Sequence, residues 1–203
     1  MNDEDPLAEA AHESEQPELS ALEARILGAL MEKQRTTPDY YPMTLNALVQ
    51  ACNQKTSRHP IMSLTPGEVG HAVNLLRDRE LISADASGRA ERYQQKLTRV
   101  LKLDRKQQAV LCLLLLRGPQ TLGELRINSS RMAEFSDLGE VRDTLEVLMQ
   151  RQSPLVSRGR APGHREERYS QLLCSEVGTE PALQPQNPAA RSDLQRIDEM
   201  ESE

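Results

Sequence analysis

The sequence has no tryptophan, one phenylalanine and only three cysteines among its 203 residues. With aromatic residues at 2% of the chain, it lacks the stacking platform on which many proteins bind single-stranded nucleic acid. The cysteines, at positions 52, 112 and 174, are odd in number, far apart and without a Cys-x-x-Cys pair. This usage fits a reducing cytoplasm and excludes a disulfide-stabilised secreted class.

Signatures of enzymes and metal sites are missing as well. There is no P-loop, no Gly-x-Gly-x-x-Gly and no Gly-x-Ser-x-Gly elbow. The four histidines, at positions 12, 59, 71 and 164, stand apart from the cysteines and show no metal-ligand spacing. We therefore expect a non-enzymatic protein without a cofactor or a metal, and an unrecognised active site is only the third hypothesis.

Membrane and export signals are absent too. The longest apolar run, "AVLCLLLL" at Ala109–Leu116, is too short to span a bilayer. The acidic N-terminus has neither the basic nor the apolar region of a signal peptide. These features predict a cytoplasmic protein that does not associate with membranes.

Charge is distributed unevenly along the chain, although the net value is −6. Residues 1–19 carry seven acids and no bases, and residues 176–203 carry seven acids and two arginines. Both segments are rich in Glu, Pro, Ala, Gln and Ser, so we expect disordered acidic tails, the second with at most a short terminal helix. The body between them has a net charge of +6, which is a weak electrostatic footprint for nucleic acid.

Three segments of the body recur in the same order, at offsets between 72 and 77 residues. They are "TLNAL" (44–48) and "TLGEL" (121–125), "GEVGHAVNLL" (67–76) and "GEVRDTLEVL" (139–148), and "ERYQQKL" (91–97) and "ERYSQLL" (167–173). Ordered matches at a nearly constant offset predict two copies of one domain.

Each copy is predicted to fold as three helices followed by a β-hairpin. Capping residues mark the starts of the helices: Ser20, Thr44 and Thr65 in the first copy, and Asp104, Thr121 and Ser136 in the second. Ser87-Gly88 and Pro162-Gly163 supply the hairpin turns. This order describes a winged helix, a variant of helix-turn-helix.

The predicted fold class is therefore mainly α with small β-hairpins (α+β), with two tandem winged-helix domains between acidic tails. The predicted divisions are an acidic tail at 1–19, winged-helix domains at 20–102 and 103–175, and a second acidic tail at 176–203.

Four stretches of the body resemble the YceH-like family of uncharacterised bacterial proteins. They are "LEARILGALMEKQRTTPDYYPMTLNALVQACNQKTSRHPIM" (22–62), "LLLRGPQTLGELR" (114–126), "RMAEF" (131–135) and "PGHREERY" (162–169). The resemblance covers about residues 20 to 173. It implies two winged-helix domains and no assigned activity, so no catalytic residue follows from it.

Candidate contact residues lie in three regions. In helix-turn-helix proteins the second helix of the motif enters the major groove, and here that is the third helix of each copy. Its outward face in the first copy centres on His71 and Asn74, with Arg77 beside them and Asp78 opposing phosphate contact, whereas the second copy presents an acidic face. The loop "ACNQKTSRHP" (51–60) offers Lys55, Ser57, Arg58 and His59. The second hairpin offers Arg158, Arg160, His164 and Arg165.

Two functions remain open at this point. The first hypothesis is contact with double-stranded DNA, as in a transcriptional regulator. The alternative is a protein–protein adaptor that uses winged helices as a scaffold, because acidic tails and an acidic second helix face disfavour phosphate. An ordinary solvated surface is a third explanation for each candidate residue. The oligomeric state is open, with a homodimer among the alternatives.

Overall fold

Helices and small antiparallel sheets alternate in the computed structural model, which describes residues 16–160 and 166–174. The helices are α1 (Ala21–Thr36), α2 (Leu45–Cys52), α3 (Pro66–Asp78), α4 (Leu97–Val100), α5 (Arg105–Arg117), α6 (Leu122–Ser129) and α7 (Leu138–Met149). A 3₁₀ turn spans Pro38–Tyr40. The strands are β1 (Met43–Thr44), β2 (Ile82–Asp85), β3 (Arg92–Gln95), β4 (Val156–Gly159) and β5 (Arg168–Gln171). The predicted α+β class is confirmed.

Side-chain caps begin the described helices other than α4, close to where the sequence predicts them. Ser20 and Glu23 form a reciprocal capping box at α1, and caps also stand at Thr44, Thr65, Asp104 and Thr121. The predicted start of α7 is wrong by one residue, because Asp137 rather than Ser136 is the cap. The Asp137 carboxylate accepts from the Glu140 N–H at 2.9 Å, while the Ser136 N–H donates to the Glu140 carboxylate at 2.8 Å.

The two sheets differ in size. The first has the order β1-β3-β2, in which Tyr93 of β3 lies opposite both Met43 and Ala84. The second contains only β4 and β5. Where the first sheet has β1, the second has a single bridge, in which Gln120 and Tyr169 exchange main-chain hydrogen bonds of 3.1 and 2.8 Å.

Helices α1 and α5 form the centre of the core and lie directly against each other. Both are buried over most of their circumference, as expected for helices surrounded by protein. Gly28 permits this close approach, since a Cβ there would lie 2.9 Å from the Leu116 side chain. The Cys112 thiol donates to the Gly28 carbonyl at 3.3 Å. One apolar cluster consequently continues from the first half of the described chain (residues 16–102) into the second half (residues 103–160 and 166–174).

The two ends of the described chain also meet. Leu19 is buried, and its N–H donates to the Leu173 carbonyl at 2.7 Å. Leu19 therefore packs with the folded body, although the sequence assigned it to the N-terminal tail. The division at residues 102 and 103 stays a prediction. Predictions for residues 1–15 and 175–203, and for the Pro162-Gly163 turn, fall outside the described residues.

Candidate functional site

The loop after α2 turns its arginine inward. The guanidinium of Arg58 is fully buried, and it donates to the two carboxylate oxygens of Glu32 on α1 at 3.2 and 2.7 Å. It also donates to the carbonyls of Ala51 and Ser57, at 3.1 and 2.9 Å. With these bonds made, Arg58 anchors the loop to α1 and is closed to a ligand.

Further contacts fix the rest of the loop. Arg25 on α1 donates to the carbonyls of Cys52 and Pro60 at 3.1 and 2.6 Å. The Asn53 side chain exchanges hydrogen bonds with the Leu64 main chain, both at 2.8 Å. The ends of the connection between α2 and α3 are therefore tied together, which explains how a long irregular segment keeps a defined shape.

The same loop contacts the end of α5. The His59 N–H donates to the Leu116 carbonyl at 2.8 Å, and Arg117 donates to the Ser57 hydroxyl at 2.7 Å. Of the four predicted loop contacts, only the side chains of Lys55 and His59 are exposed. The polar run that the sequence singles out is thus held mainly to α1 of its own half, with two further hydrogen bonds to the end of α5.

Burial shapes the electrostatics around this loop. Burial raises the pKa of Glu32, but the hydrogen bonds and charge of Arg58, helped by Lys33, outweigh it and leave the pKa below its usual value. The pKa of Arg25 is lowered by burial first and by the charge of Arg58 second. Burial raises the pKa of the Cys52 thiol to about 12, so this cysteine is an inert core residue at neutral pH.

The outward face of α3 is exposed as predicted, with Val69, Ala72, Val73 and Leu76 buried on the opposite side. His71 and Asn74 are both exposed, and neither has a side-chain partner among the described residues. Leu75, also on this face, is 44% exposed. The face therefore offers an imidazole, an amide and one apolar side chain to a partner.

An ion pair links α3 to the first hairpin. Arg77 lies 3.2 Å from the Glu91 carboxylate, which also accepts from the Tyr93 hydroxyl at 2.6 Å. This contact places the hairpin tip, with the exposed Arg89, on the same side of the molecule as the end of α3. The structure thus joins the predicted α3 region to the first hairpin, which was not among the predicted contact regions.

The second half presents different chemistry. The outward side of α7 carries Arg142, Asp143 and Gln150, and it exposes 51% of Val147. On the second hairpin Arg158 is exposed, and Arg160 lies 3.9 Å from the Glu167 carboxylate. The remaining predicted contacts on this hairpin, His164 and Arg165, lie outside the described residues.

One group of cations was missed by the sequence reasoning. Arg35 at the end of α1 lines a surface cleft. Arg99 and Lys102, from the segment between β3 and α5, line the same cleft. The sequence signal is the run 96–106, which holds five bases and one acid. Within the described residues no cluster of His, Cys, Asp or Glu could hold a metal, and no helix could cross a membrane.

Comparison with known proteins places the chain in a family. The family model described as "Protein of unknown function, DUF480" matches residues 19–179. A UPF0502 protein of Cellvibrio japonicus is 47% identical over 179 residues, covering 87% of this chain and 82% of its own. A UPF0502 protein of Pseudomonas aeruginosa (strain LESB58) is 51% identical over 166 residues, covering 82% and 75%.

The fold is that of a mixed α+β protein in which helices α1 and α5 contribute to one apolar core. Within that class, the chain belongs to the DUF480 (UPF0502) family of bacterial proteins, which confirms the resemblance seen in the sequence.

Proposed function

We propose that the chain is a non-enzymatic protein of two tandem winged-helix domains that contacts double-stranded DNA through its first half. Support comes from the order of elements, since three helices followed by an antiparallel hairpin occur at α1–α3 with β2–β3 and again at α5–α7 with β4–β5. In proteins of this kind the helix before the hairpin enters the major groove. That helix is α3 in the first half and α7 in the second.

The observation that carries the proposal is the free polar face of α3. His71 and Asn74 are exposed and without side-chain partners among the described residues, so no internal bond has to break before they contact DNA. An amide side chain can make paired hydrogen bonds to adenine in the major groove. The exposed Leu75 offers apolar contact to a thymine methyl group.

Phosphate contacts would come from exposed cations elsewhere in the first half. Lys55 on the loop and Arg89 on the hairpin are exposed, and within the described part of the chain neither forms an ion pair. Such contacts orient a protein on the duplex without reading its sequence. Arg58 has an indirect role here, because it holds the loop that carries Lys55.

A salt titration tests the proposal. Binding of a labelled random-sequence duplex is measured by fluorescence anisotropy from about 50 to 200 mM salt, where each phosphate contact contributes to the slope. The double variant Lys55→Gln/Arg89→Gln should flatten the slope of log K against log salt by about 2. The matched control Arg131→Gln/Arg142→Gln removes the same charge from exposed positions in the second half and should leave the slope unchanged.

Two results would contradict the proposal. One is the lack of any duplex binding at the lowest salt. The other is an equal loss in both double variants, which would mean that binding follows net charge and no particular surface.

The second half favours the alternative function, a protein–protein adaptor. Helix α7 exposes 44% of Leu138 and 51% of Val147 next to the acidic Asp143, a combination suited to a protein partner and opposed to phosphate. The adaptor is supported if duplex binding fails while a complex that survives nuclease treatment is lost on Val147→Asp.

A further inference from the structure

A cleft of about 440 Å³ opens on the surface where the two halves of the chain meet. The end of α1 contributes Gln34 and Arg35, and the first turn of α5 contributes Gln108. The segment between β3 and α5 contributes Arg99 and Lys102. Its volume falls within the range of small-molecule sites in proteins, about 300–1,000 Å³.

The floor of this cleft is a connected group of glutamines. The Gln34 side-chain oxygen accepts from Gln95 at 2.8 Å and from Gln108 at 3.0 Å. Gln95 and Gln108 are buried, at 8% and 1% exposure. Gln95 also exchanges hydrogen bonds with Thr98, both at 2.9 Å. The network joins α1, β3 and α5, so the polar groups at the floor are fixed before any ligand arrives.

Among the described residues that line this cleft are three cations and no carboxylate. The Gln108 oxygen accepts from Arg35 at 3.0 and 2.8 Å, which orients the guanidinium and leaves one of its terminal nitrogens free. Arg99 and Lys102 make no side-chain bond within the described ranges. Asp104 follows close by in sequence, but its carboxylate caps α5 by accepting from the Gln107 N–H at 2.8 Å.

The absence of a counter-ion here contrasts with four other cations of the described chain. Arg58, Arg79, Lys106 and Arg168 each pair with a glutamate. Three like charges around one concave surface produce a positive local potential that attracts an anion. Arginine and lysine together suit a phosphate, since guanidinium binds its oxygens in pairs and ammonium adds a point charge.

We propose that this cleft binds the phosphate group of a small phosphorylated ligand. The site lies on residues other than the α3 face, so it goes beyond the proposed contact with DNA. A bound phosphate would connect α1, the segment after β3 and α5. Ligand binding would consequently stabilise the packing of the two halves.

Inorganic pyrophosphate is the probe, and its binding to the full chain is measured by isothermal titration calorimetry at constant ionic strength. The double variant Arg99→Gln/Lys102→Gln should weaken binding at least about tenfold, which corresponds to about 1.4 kcal/mol. The matched control Lys55→Gln/Arg89→Gln removes the same charge from the same half and should change binding less than about twofold. Circular dichroism melts of both variants verify folding, and Arg99→Lys should recover part of the affinity.

Three results would overturn the proposal. The first is no heat of binding with millimolar pyrophosphate. The second is an equal loss in both double variants, which would mean an adventitious ion only. The third is a loss of duplex DNA affinity in Arg99→Gln/Lys102→Gln as large as the loss for pyrophosphate, which would assign the phosphate to the nucleic acid backbone. The salt titration of DNA binding changes Lys55 and Arg89, which are not part of this cleft. Either proposal can therefore fail while the other holds.

Discussion

The two halves of this protein have a similar order of elements, but their exposed helix faces differ in chemistry. In the first half α3 exposes His71 and Asn74, and the adjoining hairpin carries Arg89. In the second half α7 exposes Asp143 together with Val147. A similar order of elements therefore carries different surface chemistry in each half, and the order of elements does not by itself fix a function.

The two halves also differ in how the connection between their second and third helices is held. In the first half Arg58 is buried against Glu32 and two carbonyls. In the second half the exposed Arg126 donates to the carbonyls of Phe135 and Ser136, at 3.4 and 2.7 Å. Both halves use arginine to hold a loop, but only the first isolates it from solvent.

The largest expected effect comes from removing the buried member of this pair. Arg58→Ala leaves the Glu32 carboxylate with only Lys33 and the Ala51 carbonyl without this donor, and we expect a loss of about 3–5 kcal/mol in the free energy of unfolding. Arg126→Ala, the matched change in the second half, should cost about 1 kcal/mol because water can replace its bonds. Urea denaturation followed by circular dichroism measures both. Equal losses would remove the distinction between the two connections.

The helix faces give the next effect. If α3 reads DNA, His71→Ala/Asn74→Ala should weaken duplex binding by about 1–3 kcal/mol, since base-edge contacts are lost. Arg142→Ala/Gln150→Ala, on α7 and at the residue that caps its C-terminus, should change binding by less than about 0.5 kcal/mol. Fluorescence anisotropy on one duplex compares them. A larger loss from the α7 variant would reverse the roles assigned to the halves.

A smaller effect tests the contact between the halves. Gly28→Ala places a Cβ 2.9 Å from the Leu116 side chain in the buried α1–α5 contact. Overpacking of this kind costs about 1–3 kcal/mol, partly offset by the better helix propensity of alanine. Gly70→Ala on α3 meets only Leu45, at 3.6 Å, and should stabilise by up to about 1 kcal/mol. The melting temperature should fall for Gly28→Ala and rise for Gly70→Ala. A higher melting temperature for Gly28→Ala would show that the α1–α5 contact has room for a methyl group.

The smallest effect is a pH dependence specific to the first half. The pKa of Glu32 is lower in the folded chain than its ordinary value of 4.5, so the unfolded chain takes up the proton first as the pH falls. Its contribution is complete above about 4.5 and is lost on further acidification through the folded pKa. Denaturation at several pH values should show a steeper loss for the wild type than for Glu32→Gln. Identical slopes would mean that Arg58 does not stabilise the ionised carboxylate.

Local features of the fold were predictable from sequence, and long-range ones were not. The caps at Ser20, Thr65 and Asp104 were correct because a cap depends on residues within one helical turn. The shift from Ser136 to Asp137 arose between two adjacent residues that can both cap. The pairing of Leu19 with Leu173 joins residues at opposite ends of the body, and no local pattern indicates it.

The candidate sites divide along the same line. The exposure of His71 and Asn74 follows from helical periodicity, which places them opposite the buried positions of α3. Arg58 looked like a surface cation because its neighbours Lys55 and His59 are polar, yet its exposure depends on Glu32, which comes 26 residues earlier. A short stretch of sequence shows that an arginine is charged, but it does not show which distant residue pairs with it.

Six of the described helices (α1–α3 and α5–α7), the two hairpins and the family follow from the sequence, because they depend on short-range caps, periodicity and residue identity. Which cations lack a partner depends on the tertiary structure. The tertiary structure buries Arg58 in an ion pair and gathers Arg35, Arg99 and Lys102 around a cleft whose described lining holds no carboxylate. The physical reason is that burial and electrostatic pairing depend on distances between segments that are remote along the chain.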